Sequence, residues 1–171
     1  MPEAEDSREQ LAEVIPDTSA AERAVADLLP IDAPPAVAER ARDAVPVWFH
    51  TFALAPGVYT PGLARDHRYR APVLGSDRLR GRSVLDIGSF DGFYAFLAEA
   101  RGARRVVAVD NEQYVDWIRG RFGIELEPAA GFKTVHRLLS SKVEYRRLDA
   151  LAVGQLDERF DVSSASGCCI A

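Results

Sequence analysis

The stretch Asp86-Ile87-Gly88-Ser89-Phe90-Asp91-Gly92, with Asp110, Asn111, Asp149 and Ala150 further on, holds the residues best suited to chemistry. Gly88 and Gly92 carry no Cβ, so a loop built on them can turn sharply and bring backbone close to a ligand. A helix starting directly behind such a loop points its N-terminal amides at whatever is bound. Asp86, two residues before the first glycine, suits a ligand with an ammonium group and no pyrophosphate. Asp110 follows Gly92 by eighteen residues and ends an apolar run, a position from which a carboxylate can accept both hydroxyls of a ribose. Asp149 ends another run and is placed to reach an adenine amino group. A dinucleotide loop would want glycine at positions 90 and 93, and both are phenylalanine. That disfavours a nicotinamide oxidoreductase.

The elements that must position these residues follow from periodicity. "SVLDI" reads as a buried strand ahead of the loop. Behind it, Phe93, Phe96, Leu97 and Ala100 recur at helical spacing, and Gly102 is placed to end that helix. "RRVVAVD" is apolar throughout, as expected of a strand covered on both faces. "EQYVDWIRGRFG" and "GFKTVHRLLSS" read as helices, "KVEYRRLD" as a strand ending in Asp149, and "RFDV" as the start of another. Strands alternating with helices predict an α/β fold, a Rossmann-like doubly wound parallel sheet. Ligands of such sheets sit beyond the carboxyl ends of the strands, where strand order reverses.

Ahead of the sheet, residues 1–45 read as a helical, partly ordered leader. "PDTSAAERAVADLLP" and "PPAVAERARDAVP" suggest two short helices, the first with a capping box from Ser19 to Glu22. Residues 46–171 form the expected main domain, with its cofactor-binding half at 83–162. Its first part, residues 47–63, packs Trp48, Phe49, His50, Phe52 and Tyr59 between the turn signals Pro56-Gly57 and Pro61-Gly62. This segment is either a core staple or a lid, and the staple is the simpler reading. His50 is the best candidate general base; the simpler reading of it is a packed histidine.

Bulk composition bounds the class. The chain has 171 residues and a net charge of −5, which argues against a nucleic-acid surface spread over the whole molecule. Two local basic clusters, "ARDHRYR" (64–70) and "DRLRGR" (77–82), read most simply as solvated loops and are the only hint of RNA. No apolar run approaches the roughly 20 residues that span a bilayer, and the acidic N-terminus is no secretory signal. The two cysteines, Cys168 and Cys169, are adjacent and offer neither a disulfide framework nor metal-ligand spacing. A cytoplasmic protein without a bound metal is expected.

Taken as motifs, "VLDIGSFDGFYAF", "VVAVD" and "YRRLDAL" resemble the first three motifs of the class I S-adenosylmethionine-dependent methyltransferases, with Phe90 where the first motif usually has its middle glycine. More narrowly, "WFHTFALAPGVYTPG" followed by "RGRSVLDIGSFDGFYAF" is similar to a branch related to the tRNA wobble-uridine carboxymethyltransferases. The resemblance covers about residues 46–162. It implies S-adenosyl-L-methionine as cofactor, with Asp86, Gly88 and Gly92 shaping its methionine end. Asp110 would hold the ribose and Asp149-Ala150 flank the adenine, while Ser89, Phe90, Asp91 and Asn111 complete the site. It implies methyl transfer to a tRNA or a small-molecule acceptor. The relatives acting on tRNA transfer a carboxymethyl group from the carboxy derivative of the cofactor. No basic residues here match those that would hold its extra carboxylate, so ordinary methyl transfer is the expectation.

The ending "FDVSSASGCCIA" departs from that family, whose strand at this point runs on as an apolar segment. Nineteen arginines against two lysines suggest a coding sequence rich in G and C. In such a sequence, regrouping the codons one base earlier can restore V-V-G-L-G-V-L-H-R. The expectation is therefore a methyltransferase sheet cut short at the C-terminus by a frameshift near codon 163. The alternative function is an inactive remnant or a module that only holds the cofactor.

Overall fold

The computed structural model describes residues 20–63 and 77–165. The capping box at Ser19, His67, the basic cluster at 64–70 and the Cys168-Cys169 pair lie outside the described residues. Helices α1 (Ala20–Ala26) and α2 (Pro35–Asp43) lead into a hairpin of β1 (Ala53–Ala55) and β2 (Val58–Tyr59). The hairpin turns at Pro56-Gly57, where proline presets the first turn position and Gly57 takes φ +78°. After a short 3₁₀ turn at Asp77–Leu79 come β3 (Ser83–Ile87), α3 (Phe93–Ala100), β4 (Arg105–Asp110), α4 (Gln113–Phe122), α5 (Ala130–Leu139) and β5 (Glu144–Arg147). A 3₁₀ segment, Ala150–Leu156, then leads to β6 (Val162–Ala165).

The protein is an α/β fold whose strands β5-β4-β3-β6 form one four-stranded parallel sheet, with strands and helices alternating along the chain. The chain moves outward from β3 to β5 and then returns to the far side of β3. Strand order therefore reverses at the β3–β6 pair. "SVLDI" forms β3 as its apolar content predicts. The strand expected from "RFDV" begins only at Val162; before it, Asp161 accepts from the amide and hydroxyl of Ser83 at 2.8 and 2.9 Å, tying the start of β6 to the start of β3.

Alternation along the central strands decides which residues enter which core. Val84, Val106 and Ala108 face a large cluster with Phe93, Phe96, Phe132 and the hairpin residues Phe52 and Leu54. Leu85, Val107 and Val109 face the other way, against Leu148, Val153, Leu156 and Phe160. Both faces are covered, which explains the unbroken apolar run of β4. The described part of the leader shares the large cluster through Val25, Leu29, Ile31 and Ala38. It is stitched to the hairpin by the Ile31 amide donating to Ala53 and the Ala33 amide to Leu54. At the sheet edge, Arg105 grips Glu144 through two bonds of 2.6 and 3.1 Å, while Arg146 and Glu158 extend the network. Among the described residues, no helix is long and apolar enough to cross a membrane.

Two measurements check this architecture. Gly92 has φ +83°, and a Cβ there would lie 2.5 Å from the Phe132 ring. Gly92→Ala should therefore cost roughly 2–4 kcal/mol in denaturant unfolding, from left-handed strain plus overpacking. The arginines around Glu144 hold its carboxyl down from an ordinary 4.5 to about 2. Its folded-state value is depressed, so its contribution is present above about pH 4.5 and is lost as pH falls toward about 2. The pair is partly exposed, so Glu144→Gln should cost under about 1 kcal/mol at pH 7. In urea midpoints measured across pH, the gap between wild type and variant should close between pH 4.5 and 2.

Candidate functional site

Residues 88–92 leave the carboxyl end of β3 at the point where strand order reverses, and α3 starts directly behind them. The loop is held down by the end of β4. The amides of Gly88 and Ser89 both donate to the Val109 carbonyl, at 2.9 and 3.2 Å, and Gly92 closes a turn on Ser89. Phe90, which stands where a glycine would be expected, nevertheless adopts the left-handed φ of +53°. Its amide donates to Asp110 Oδ2 at 2.9 Å. The other Asp110 oxygen takes the amide of Glu112 at 2.7 Å, and Glu112 is itself left-handed at φ +62°. Asp110 is thus a latch between two strained residues.

That carboxylate is only 5% exposed and meets no cation among the described residues. Burial raises its pKa; the two amide bonds pull the other way, and the nearby charges of Glu112 and Asp91 add to the rise. Asp86 is buried within β3, and Ser89 is buried with its hydroxyl unmatched by any hydrogen-bond partner among the described residues. Asp149 lies beyond β5 rather than at its last paired residue. It accepts from Asn111 Nδ2 at 3.0 Å and from the Leu151 amide at 2.8 Å, capping the 3₁₀ segment that Ala150 begins. The Asn111 bond, before the Leu151 amide, pulls its pKa down. The ends of β3, β4 and β5 thus bring Asp110, Asn111, Asp149 and Ala150 around one edge of the sheet, next to the loop.

Asp91 faces away from that edge and binds the aromatic segment. Its Oδ2 accepts the amides of Phe49 and His50, both at 2.8 Å, and its Oδ1 meets His50 Nδ1. His50 is 3% exposed and caged by Phe52, Phe93 and Tyr94. The candidate base is therefore a packed histidine anchored by a carboxylate. Trp48 and Phe52 are buried beside it as a core staple, whereas Phe49 is half-buried and stacks on Phe90 at 4.0 Å and 7°. His136 packs on Phe96 and Phe132 in the large core.

Between this segment, the loop and helix α4 lies a cavity of about 230 Å³. Phe49, Phe90, Tyr114 and Trp117 supply aromatic walls, Ile118 and Leu126 aliphatic ones, and Asp91 a single carboxylate. The cavity was not read from the sequence. Its signal is Tyr114, Trp117 and Ile118 on one face of α4, a spacing that reads equally as ordinary core. Among the described residues, no three His, Cys, Asp or Glu side chains cluster as metal ligands. In comparisons with known proteins, no family model and no curated protein matches the chain.

The Asp91 attachment has a direct check. Asp91→Ala leaves the buried His50 amide, the part-buried Phe49 amide and an imidazole nitrogen without their acceptor, and should cost about 2–4 kcal/mol. Hydrogen exchange at the amides of Phe49 and His50 should accelerate more than at Val107 and Val109. Equal acceleration at all four would mean the contact does not fix the segment locally.

Proposed function

We propose that the chain is a Rossmann-like, class I S-adenosylmethionine-dependent methyltransferase domain acting on a tRNA or a small-molecule acceptor. The observation that carries this reading is the strand order β5-β4-β3-β6 with the Asp86-x-Gly88…Gly92 loop at its reversal and Asp110 at the neighbouring strand end. Such a reversal is where open α/β sheets take their ligands.

The residues fit the cofactor's chemistry. A carboxylate has about four acceptor sites and Asp110 uses two on backbone amides, which leaves capacity for ribose hydroxyls. A buried anion with its pKa raised by desolvation favours a cationic ligand nearby. The buried, unmatched Ser89 hydroxyl offers one more polar contact beside the methionine end of the site. Asn111, Asp149 and Ala150 would border the adenine. The left-handed Phe90 retains the backbone course that a glycine would give, so the substitution leaves the loop usable.

When bound, S-adenosylmethionine supplies an activated methyl group on sulfur. Asp110 would hold its ribose, and Asp86, Gly88 and Gly92 would shape its methionine end, leaving that methyl free for in-line transfer to an acceptor. The protein's task is then mostly alignment. The Asp110 latch and the Asp91 bolt hold the loop and its aromatic wall in one arrangement. The buried His50 favours one alternative, a module that holds the cofactor without transferring from it. A methyl-transfer assay with labelled cofactor separates that alternative from the enzyme.

Titration calorimetry should show binding of S-adenosylhomocysteine and none of NAD. Asp110→Ala should weaken the former by about tenfold or more, the equivalent of one lost charged hydrogen bond. Thermal melting of the variant alongside reports whether it is folded. Unchanged affinity in folded Asp110→Ala would remove the ribose assignment.

A further inference from the structure

The cavity beside the loop is separate from the carboxylate edge where the cofactor would lie, yet it shares a wall with it through Phe90 and Asp91. Its chemistry is one-sided. Both Asp91 oxygens are committed to the Phe49 and His50 amides and the His50 ring. The Tyr114 hydroxyl accepts the Ala129 amide at 3.1 Å, and burial raises its pKa, keeping it neutral. Among the described residues, no other titratable side chain lines the space. A charged guest would lose its hydration there and meet no partner among the described residues.

The walls suit a flat guest. Phe49 and Phe90 are stacked on each other at 4.0 Å as one aromatic wall, Tyr114 tilts against Phe90 at 4.7 Å, and Trp117 stands 47% exposed at the rim. An apolar cavity of roughly 150 Å³ takes a benzene ring. The 230 Å³ here has room for one ring or two fused rings.

We propose that this cavity is the acceptor pocket and that it takes a small, uncharged planar aromatic molecule of one or two rings. The acceptor role rests on the methyltransferase reading; the choice of ligand class rests on the cavity itself. A large polyanion is the acceptor class it disfavours.

The test is calorimetry on the whole chain with 2-naphthol, 2-naphthoate and uridine 5′-monophosphate, each with and without S-adenosylhomocysteine. 2-Naphthol should bind with a dissociation constant at or below about 1 mM, ordinary for some ten heavy atoms, and at least tenfold tighter than either anion. It should bind together with S-adenosylhomocysteine. Ala130→Phe, which fills the cavity, should weaken 2-naphthol tenfold or more and leave S-adenosylhomocysteine unaffected. Should that variant fail to fold, Trp117→Ala at the exposed rim should weaken 2-naphthol several-fold. Competition between the two ligands, equal binding of the anions, or indifference of folded variants would overturn the pocket assignment. Absence of 2-naphthol binding alone overturns the assignment and leaves the methyltransferase reading standing. Absence of S-adenosylhomocysteine binding overturns that reading and the acceptor role with it.

Discussion

The Asp91 carboxylate is the contact on which the arrangement around the loop depends. Three donors converge on it from two consecutive residues, Phe49 and His50, across some forty positions of sequence. Hydrogen bonds to a buried carboxylate are stronger than ordinary ones, and leaving it without them is expensive. Segment 47–50 must therefore lie against the loop for the loop to bury its acid. Gly131 follows from the same constraint, because a Cβ there would come within 2.7 Å of Asp91 Cβ. One side chain thus positions the aromatic segment, the start of α5 and one wall of the cavity.

Asp110 plays the corresponding part on the other side of the loop. Left-handed backbone costs an ordinary residue about 1–2 kcal/mol, and both Phe90 and Glu112 adopt it. Each gives its amide to Asp110, so two charge-assisted bonds offset two strained residues. Glu112 is further fixed by Tyr145 and Arg147. The strain is stored at the carboxyl edge of the sheet, where open α/β folds bind their ligands.

Much of the sheet was legible because its signals are local. β3, β4 and α3 lie where apolar runs and helical spacing put them, and the hairpin turns at Pro56-Gly57. β5 is shorter than "KVEYRRLD" suggests, because Asp149 is drawn off to cap the 3₁₀ segment. The glycine loop and the four aspartates in and around it, Asp86, Asp91, Asp110 and Asp149, were also legible as residue types at a recognisable spacing. What each carboxylate grips was not. Asp91 and Asp110 lie close in the fold but bind opposite neighbours, and that choice follows from which backbone amides the folded chain turns toward them. The spacing of Tyr114, Trp117 and Ile118 likewise reads as core, whereas in the fold these side chains line a cavity together with Phe49 and Phe90.

Phe90 shows how the two halves of the site are coupled. In a loop of this kind glycine would take the left-handed conformation without strain, and phenylalanine takes it at a cost. What the side chain supplies in return is a ring stacked at 4.0 Å on Phe49, in contact with Tyr114, and 9% exposed. Stacking and burial of an aromatic ring are worth more than the backbone strain. A glycine would relax the loop but open the wall between the carboxylate edge and the cavity. The residue that takes the left-handed turn of the loop is therefore also the partition between the carboxylate edge and the cavity.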